Sequence, residues 1–401
     1  MDYTRREFAK LALATVPAVG LLDKTLIGAA LQAKPNSRFN GVQIGTITYS
    51  YRSMPDQSAE ATLKYIVDSG ISGVELMGGP VEAYARARTG FNPSAGRGGG
   101  GGGGGAARGG RGGGGGGRGG GRGGPDPGTL TAKWNGVPCA PQTPGTDPTY
   151  EAAPVAAGEA ARGGGGGRGG GGRGGEQTHE QIAAAQAAAE EQRKWRLGLS
   201  MDIFKDLRKM YNDAGVSIYA VKDVRQGSDE ELEYTFAVAE ALGANHITLE
   251  LPGGPNGEAT LKRLGDWGVK KKIHVAYHTH AQGSMTAFDR AFAISPGNTA
   301  NVDLGHFVAG GNRGGTPLDF LNKYHARISS FHLKDRTLPE NCALNLPFGT
   351  GQTPIKDILQ LIRKNKWMFP ASIELEYDIP EGSDAVKEVQ KCVQYCKDAL
   401  A

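Results

Sequence analysis

Ionisable residues close the apolar runs in the C-terminal half of this chain with a regularity that surface decoration does not produce. Ile247-Thr248-Leu249-Glu250, Tyr277-His278-Thr279-His280 and Val302-Asp303-Leu304-Gly305-His306 are followed by Ser330-Phe331-His332-Leu333-Lys334-Asp335-Arg336 and Ser372-Ile373-Glu374-Leu375-Glu376-Tyr377. A lone His or Glu at such a position is ordinarily a satisfied polar residue. Five in succession, mixing carboxylates with imidazoles, form the donor set that Mn, Co, Zn or Mg sites use. The matching chemistry is that of a bound divalent cation, which stabilises an oxygen that becomes negative, with carboxylates beside it able to move protons.

These residues can meet only if the runs that carry them share an axis. Eight β-branched runs are expected as strands: 42–49, 73–77, 216–221, 246–251, 273–280, 300–306, 328–334 and 371–377. Helical periodicity and start signals lie between them at 58–69, 228–242, 258–267, 317–324, 353–364 and 383–400, with a weaker segment at 285–293. Asp-Ser-Gly at 68–70 and Asp-Ala-Gly at 213–215 read as matched helix ends. Alternating strands and helices with short connections require parallel strands and right-handed crossovers. Eight such units close most economically as a single-domain (β/α)8 TIM barrel over residues 41–401, an open doubly wound sheet being the lesser option. In a closed barrel, side chains at the C-terminal strand ends converge, and the five polar runs are all of that kind.

One segment does not belong to this pattern. Residues 96–175 hold 37 of the 65 glycines and a net charge near +5, which leaves the rest of the 401-residue chain near −1 out of a total of +4. Two arginine-glycine blocks flank a Pro/Thr/Ala-rich middle without enough apolar side chains to offset the entropy of ordering. The segment is expected to be a disordered insert after the second strand, tolerated because closure entropy grows only logarithmically with loop length. The blocks contain no aromatic residues to stack on bases, and the barrel itself is not basic, which argues against nucleic acid as a partner.

The N-terminus reads as an address. Thr4-Arg5-Arg6-Glu7-Phe8-Ala9-Lys10 precedes an apolar stretch, Leu11 to Leu22, and small residues near Ala33. Residues 1–33 therefore resemble a twin-arginine signal, which implies the export machinery as a partner and a periplasmic or secreted location. Pro17 and Gly20 interrupt the apolar run, and no later run approaches the roughly 18 apolar residues of a membrane span. Twin-arginine export moves folded proteins, so a metal could be loaded beforehand. Four cysteines are no disulfide framework at this length; Cys139 falls in the insert and Cys342 in a late loop, while Cys392 and Cys396 share one face of the last helix as core filling.

At its strand ends the chain resembles the xylose isomerase-like barrels, a family of sugar isomerases and epimerases that also includes inosose dehydratases. The matching features are Glu250, the Asp303-x-x-His306 pair, His332 followed by Asp335 and Arg336, and Glu374. Phe348-Gly349-Thr350-Gly351-Gln352-Thr353-Pro354 looks like the family's glycine-containing loop. Apart from the insert, the resemblance runs from Gly41 to the C-terminus, about 280 residues. It implies that Glu250, Asp303, His332 and Glu374 bind one divalent metal. The two glutamates would act as acid and base on opposite faces of a sugar, and His306 and Arg336 would touch substrate. Glu376 shares a face with Glu374, and the family match favours Glu374 as the ligand.

His280, nearer its strand end than His278, is a further candidate for substrate contact, as is Lys222 after Tyr219-Ala220-Val221. Glu75 is similarly placed on the second strand, where a hydrogen bond inside the barrel is the plainer role. The expected function is a metal-dependent isomerase or epimerase working through an enediolate, on a free or oxidised sugar rather than a sugar phosphate. A lyase or hydratase acting on a keto-sugar or glycoside, a non-catalytic sugar-binding barrel and a multi-zinc nuclease are the alternatives. The sequence is compatible with an oligomer.

Overall fold

In the computed structural model, residues 34–92, 133–134, 137–138 and 179–401 are described. The expected signal segment, Cys139 and nearly all of the expected insert lie outside them, apart from a short antiparallel pair, Lys133–Trp134 with Val137–Pro138.

Eight strands close into a barrel: β1 Val42–Ile47, β2 Gly73–Met77, β3 Ser217–Lys222, β4 His246–Glu250, β5 His274–His278, β6 Asn298–Asp303, β7 Ile328–Leu333 and β8 Ala371–Ile373. They pair in parallel in the order β1-β8-β7-β6-β5-β4-β3-β2, and β1 also pairs with β2. A sheet whose first and last strands pair has no free edge in its main ladder. A two-residue strand, Arg38–Phe39, folds back antiparallel on β1.

The helices that cover the barrel are α1 Ala59–Asp68, α2 Gly78–Thr89, α3 His179–Leu197, α4 Asp202–Asp213, α5 Asp229–Leu242, α6 Gly257–Lys271, α7 Asp289–Ile294, α8 Leu304–Ala309, α9 Pro317–Tyr324, α10 Ile355–Asn365 and α11 Ala385–Ala399. Most of the long helices turn an apolar face inward; α10 buries Ile355, Ile358, Leu359 and Ile362, the 3–4 spacing of one face, whereas none of residues 180–197 of α3 is buried. Ser228 with Glu231 and Thr316 with Asp319 form capping boxes that start α5 and α9. The two expected helix ends are as read, α1 and α4 stopping at Asp68 and Asp213 before left-handed Gly70 and Gly215. Among the described residues no helix is long and apolar enough to cross a membrane.

The strand ends differ from expectation in a way that shapes the site. β5, β6 and β8 stop at His278, Asp303 and Ile373, so His280, His306, Glu374 and Glu376 lie past the ladder. At β6 the cause is local: the Asp303 carboxylate accepts from the backbone N–H of His306 at 2.7 Å and caps α8. The stretch before β3 forms two helices, α3 and α4, separated by residues 198–201.

Candidate metal centre at the barrel mouth

His278 at the end of β5, Asp303 at the end of β6, His332 in β7 and Glu374 just beyond β8 offer ligand atoms that all lie within 4.8 Å of one another. Register explains much of this: Asp303 is level with His332 across the β6–β7 ladder, and Glu374 follows Ile373, the partner of Leu333. All four residues are buried. Buried ionisable groups demand partners. His332 Nδ1 lies 2.7 Å from Glu374 Oε2, and its Nε2 lies 2.8 Å from Glu75 Oε2.

Two atoms of this group lack hydrogen bonds. His278 Nδ1 has none, and Asp303 Oδ2 sits 3.1 Å from Lys334 Nζ in an ion pair without hydrogen-bond alignment. Buried acceptors left over beside a second imidazole and a second carboxylate are the donor set of a divalent cation. The residues present therefore fit such an ion.

Lys334 brings a positive charge to the same place. Its ammonium lies 2.9 Å from Glu374, 2.6 Å from Glu376 and 2.9 Å from His306 Nε2. Burial would lower its pKa, but Asp303, Glu374 and Glu376 hold it above the ordinary lysine value. Burial likewise pushes Glu374 upward, and Lys334 and His332 more than reverse this, holding it well below the carboxylate range. His332 is pulled down by burial and raised to about 10 by Glu374 and Glu75. His278 and His306 are held well below the usual imidazole value, first by burial; Lys222 and His332 reinforce this at His278, and Lys334 and Arg336 at His306. Neutral imidazoles are the form that binds metal.

Glu250, expected as a ligand, stands in an adjoining group. Its side chain is half exposed, with Lys222 Nζ at 3.0 Å and His280 Nδ1 at 3.5 Å. Glu250, His278 and His280 offer ligand atoms within 4.8 Å of one another, so His278 belongs to both groups. Glu250 pairs with His278 in the β4–β5 ladder and shares a strand face with Thr248, whose hydroxyl reaches Glu75 inside the barrel. One pleat further on, the same face opens at the rim.

The expected substrate-contact residues surround both groups. His306 is buried between Lys334 and Arg336, whose Nη1 lies 2.5 Å from His306 Nδ1. The His280 and His306 rings are 4.9 Å apart, edge to face. Arg336 is held by the carbonyl of Ala343, and its backbone N–H by Thr353. Asp335 organises the glycine-containing loop by accepting four backbone N–H groups, from Gly349, Thr350, Gly351 and Thr353, at 2.8 to 3.1 Å. A Cβ on Gly351 would collide with that carboxylate, and Gly349 is left-handed at φ +86°.

Lys334 received no role from the sequence, although its spacing of two from His332 puts both on one strand face. His278 had the same signal, and only its placement near the strand end separated it from His280. Cys392 and Cys396 are free and buried in the core, as expected, whereas Cys342 is disulfide-bonded.

Residues 221–396 match the family model of the xylose isomerase-like TIM barrels. An inosose dehydratase of Clostridium botulinum is 27% identical over 160 residues, 34% of this chain and 52% of the dehydratase, so the match spans about half of that enzyme. Among solved structures, the probable 3-DHS dehydratase AsbF of Bacillus anthracis aligns with 88% of this chain and 98% of its own at 12% identity and a TM-score of 0.47. A sugar phosphate isomerase/epimerase of Parabacteroides distasonis aligns with 88% and 95% at 14% identity and a TM-score of 0.46. The chain is thus a closed eight-stranded TIM barrel, and its residues 221–396 are similar to the xylose isomerase-like family.

Proposed function

We propose that this protein is a divalent-cation-dependent isomerase or epimerase that moves a proton beside the carbonyl of a small sugar or keto-sugar. The observation that carries this reading is the buried convergence of His278, Asp303, His332 and Glu374 at the C-terminal ends of four barrel strands. Those four residues would hold the cation, which supplies positive charge beside a substrate oxygen as that oxygen becomes negative.

The protein's own groups would do the rest. Glu374 follows β8 and Glu250 ends β4, and in an eight-stranded ring these strands stand opposite one another. Two carboxylates on opposite sides of a bound substrate can take a proton from one face and return it to the other. Each has a lysine partner, Lys334 at 2.9 Å for Glu374 and Lys222 at 3.0 Å for Glu250. His280 and Arg336 lie at the same mouth as donors to hydroxyl and carbonyl oxygens, with His306 held between Lys334 and Arg336. The leading Arg5-Arg6 segment supports export through the twin-arginine machinery, and an exported enzyme would meet free or oxidised sugars rather than phosphorylated ones.

A second reading, elimination of water or an alcohol from a keto-sugar or glycoside, is favoured by the match to an inosose dehydratase. The two readings share the first proton abstraction and divide at the next step. Purified protein loaded in turn with Mn, Co, Mg and Zn is incubated in deuterated water with a panel of keto-sugars and glycosides, and the products are weighed by mass spectrometry. Deuterium uptake with an otherwise unchanged mass supports isomerisation or epimerisation, and loss of water or alcohol supports elimination. Absence of both with every cation and substrate overturns the enzymatic reading in favour of a sugar-binding barrel.

A further inference from the structure

Glu75 is a carboxylate that touches neither solvent nor the mouth of the site. It sits in β2, facing the barrel interior and fully buried. Three donors from three other strands meet it: Thr248 Oγ1 at 2.6 Å on Oε1, and Asn301 Nδ2 at 3.0 Å and His332 Nε2 at 2.8 Å on Oε2. Side chains of β2, β4 and β6 ordinarily fill one interior layer of such a barrel, mostly with branched apolar residues. Here that layer carries an anion instead. Three donors on its two oxygens are the surroundings of an ionised carboxylate.

The Asn301 amide can only donate to Oε2, and an ionised carboxylate can only accept, so the Nε2 of His332 must carry a hydrogen. A cation that displaces the Nδ1 hydrogen held toward Glu374 leaves the imidazole neutral, with its proton on Nε2 and its lone pair on Nδ1. That is the nitrogen facing the proposed ion, 2.7 Å from Glu374 Oε2 and 3.9 Å from Asp303 Oδ2. We propose that Glu75 is a positioning residue that fixes the Nε2–H form of His332 and thereby presents Nδ1 as a cation ligand. The inference rests on the cation-dependent reading above and deepens it. Without Glu75, the buried Nε2 loses its acceptor, and the proton finds a better one through Nδ1 at Glu374. The ligand nitrogen is then capped.

The test compares the parent protein with Glu75→Leu and Glu75→Gln. Zn2+ affinity is measured by competition with a chromophoric chelator, and the protonation of His332 by long-range 1H–15N correlation spectra of the Zn2+-loaded protein. Loss of a carboxylate behind a ligand histidine weakens metal affinity by about 10- to 100-fold, which is the expected result for Glu75→Leu. Glu75→Gln can turn its amide oxygen toward Asn301 and His332 and its NH2 toward the Thr248 hydroxyl, so its affinity stays within about threefold of the parent. The parent spectrum shows hydrogen on Nε2 and none on Nδ1. Should Glu75→Leu fail to fold, the parent spectrum and the glutamine variant still decide the matter. A purely structural role lowers the melting temperature of Glu75→Leu and leaves the affinity of the folded protein unchanged, which overturns the inference alone. Coordination through Nε2 in the parent does the same. A parent protein that takes up no Zn2+, Mn2+ or Co2+ overturns the cation reading, and the positioning role falls with it.

Discussion

Glu374 and Glu376 both place a carboxylate oxygen on the Lys334 ammonium, at 2.9 and 2.6 Å, but Glu374 also meets His332 Nδ1 at 2.7 Å. The two residues, both just past β8, thus differ in depth. Glu374 is buried with the imidazole and Asp303, while Glu376 lies nearer the rim, 3.6 Å from His306 Nε2.

This division gives the two glutamates different mutational signatures. Glu374→Gln is expected to reduce solvent-deuterium exchange into substrate by about 10²- to 10⁴-fold, the usual contribution of a positioned general base or acid. Glu376→Gln is expected to act mainly on KM. Equal losses of exchange rate in both variants would contradict the assignment.

Cation content separates the buried group from its neighbour. Asp303→Ala, His332→Ala and His278→Ala are expected to lose most of the bound cation, and Glu250→Gln to retain it, as counted by elemental analysis of protein dialysed against Mn2+. Loss of the ion from Glu250→Gln with retention in His278→Ala would move the centre to the rim group that His278 shares.

Lys334 is the counter-charge to the carboxylates of Asp303, Glu374 and Glu376. Removing it by Lys334→Met leaves Asp303, Glu374 and Glu376 facing one another in a buried site, a loss of about 3–5 kcal/mol for an uncompensated buried charge. Added Mn2+ is expected to restore much of that stability, so the melting temperature of the variant rises more on cation addition than that of the parent. A cation-insensitive variant would argue against ion binding at these carboxylates.

His246, at the opposite end of the barrel strands, makes an acid-sensitive element away from the site. It is fully buried, with Ser330 Oγ 2.8 Å from Nε2, and burial holds its pKa down at about 4 against an ordinary value of 6.5. Between those values the unfolded chain binds the proton and the folded chain resists it, so stability falls as pH drops from 6.5 toward 4. The shift corresponds to a loss of ~3 kcal/mol over that interval. Denaturant unfolding of the parent and of His246→Gln at several pH values from 7.5 to 4.5 checks this. The variant's stability is expected to fall less steeply, and parallel curves would refute it.

The barrel was legible because its strands are largely buried and alternate with amphipathic helices, a pattern local to each strand and helix. Polar residues at strand ends pointed to the mouth of the barrel as the place of chemistry, and Asp303, His332 and Glu374 are there together.

What sequence alone determined was the architecture, the end of the barrel that carries the ionisable residues, and the residue types available to a cation. Only tertiary structure decided their grouping: that His278 joins the buried set, that Glu250 opens to the rim, and that Lys334 and Glu75 bracket the centre from above and within. Strand-face parity is written in the spacing of residues along one chain segment. Depth within the barrel depends on the stagger between neighbouring strands and on where each ladder stops, which are properties of the closed sheet.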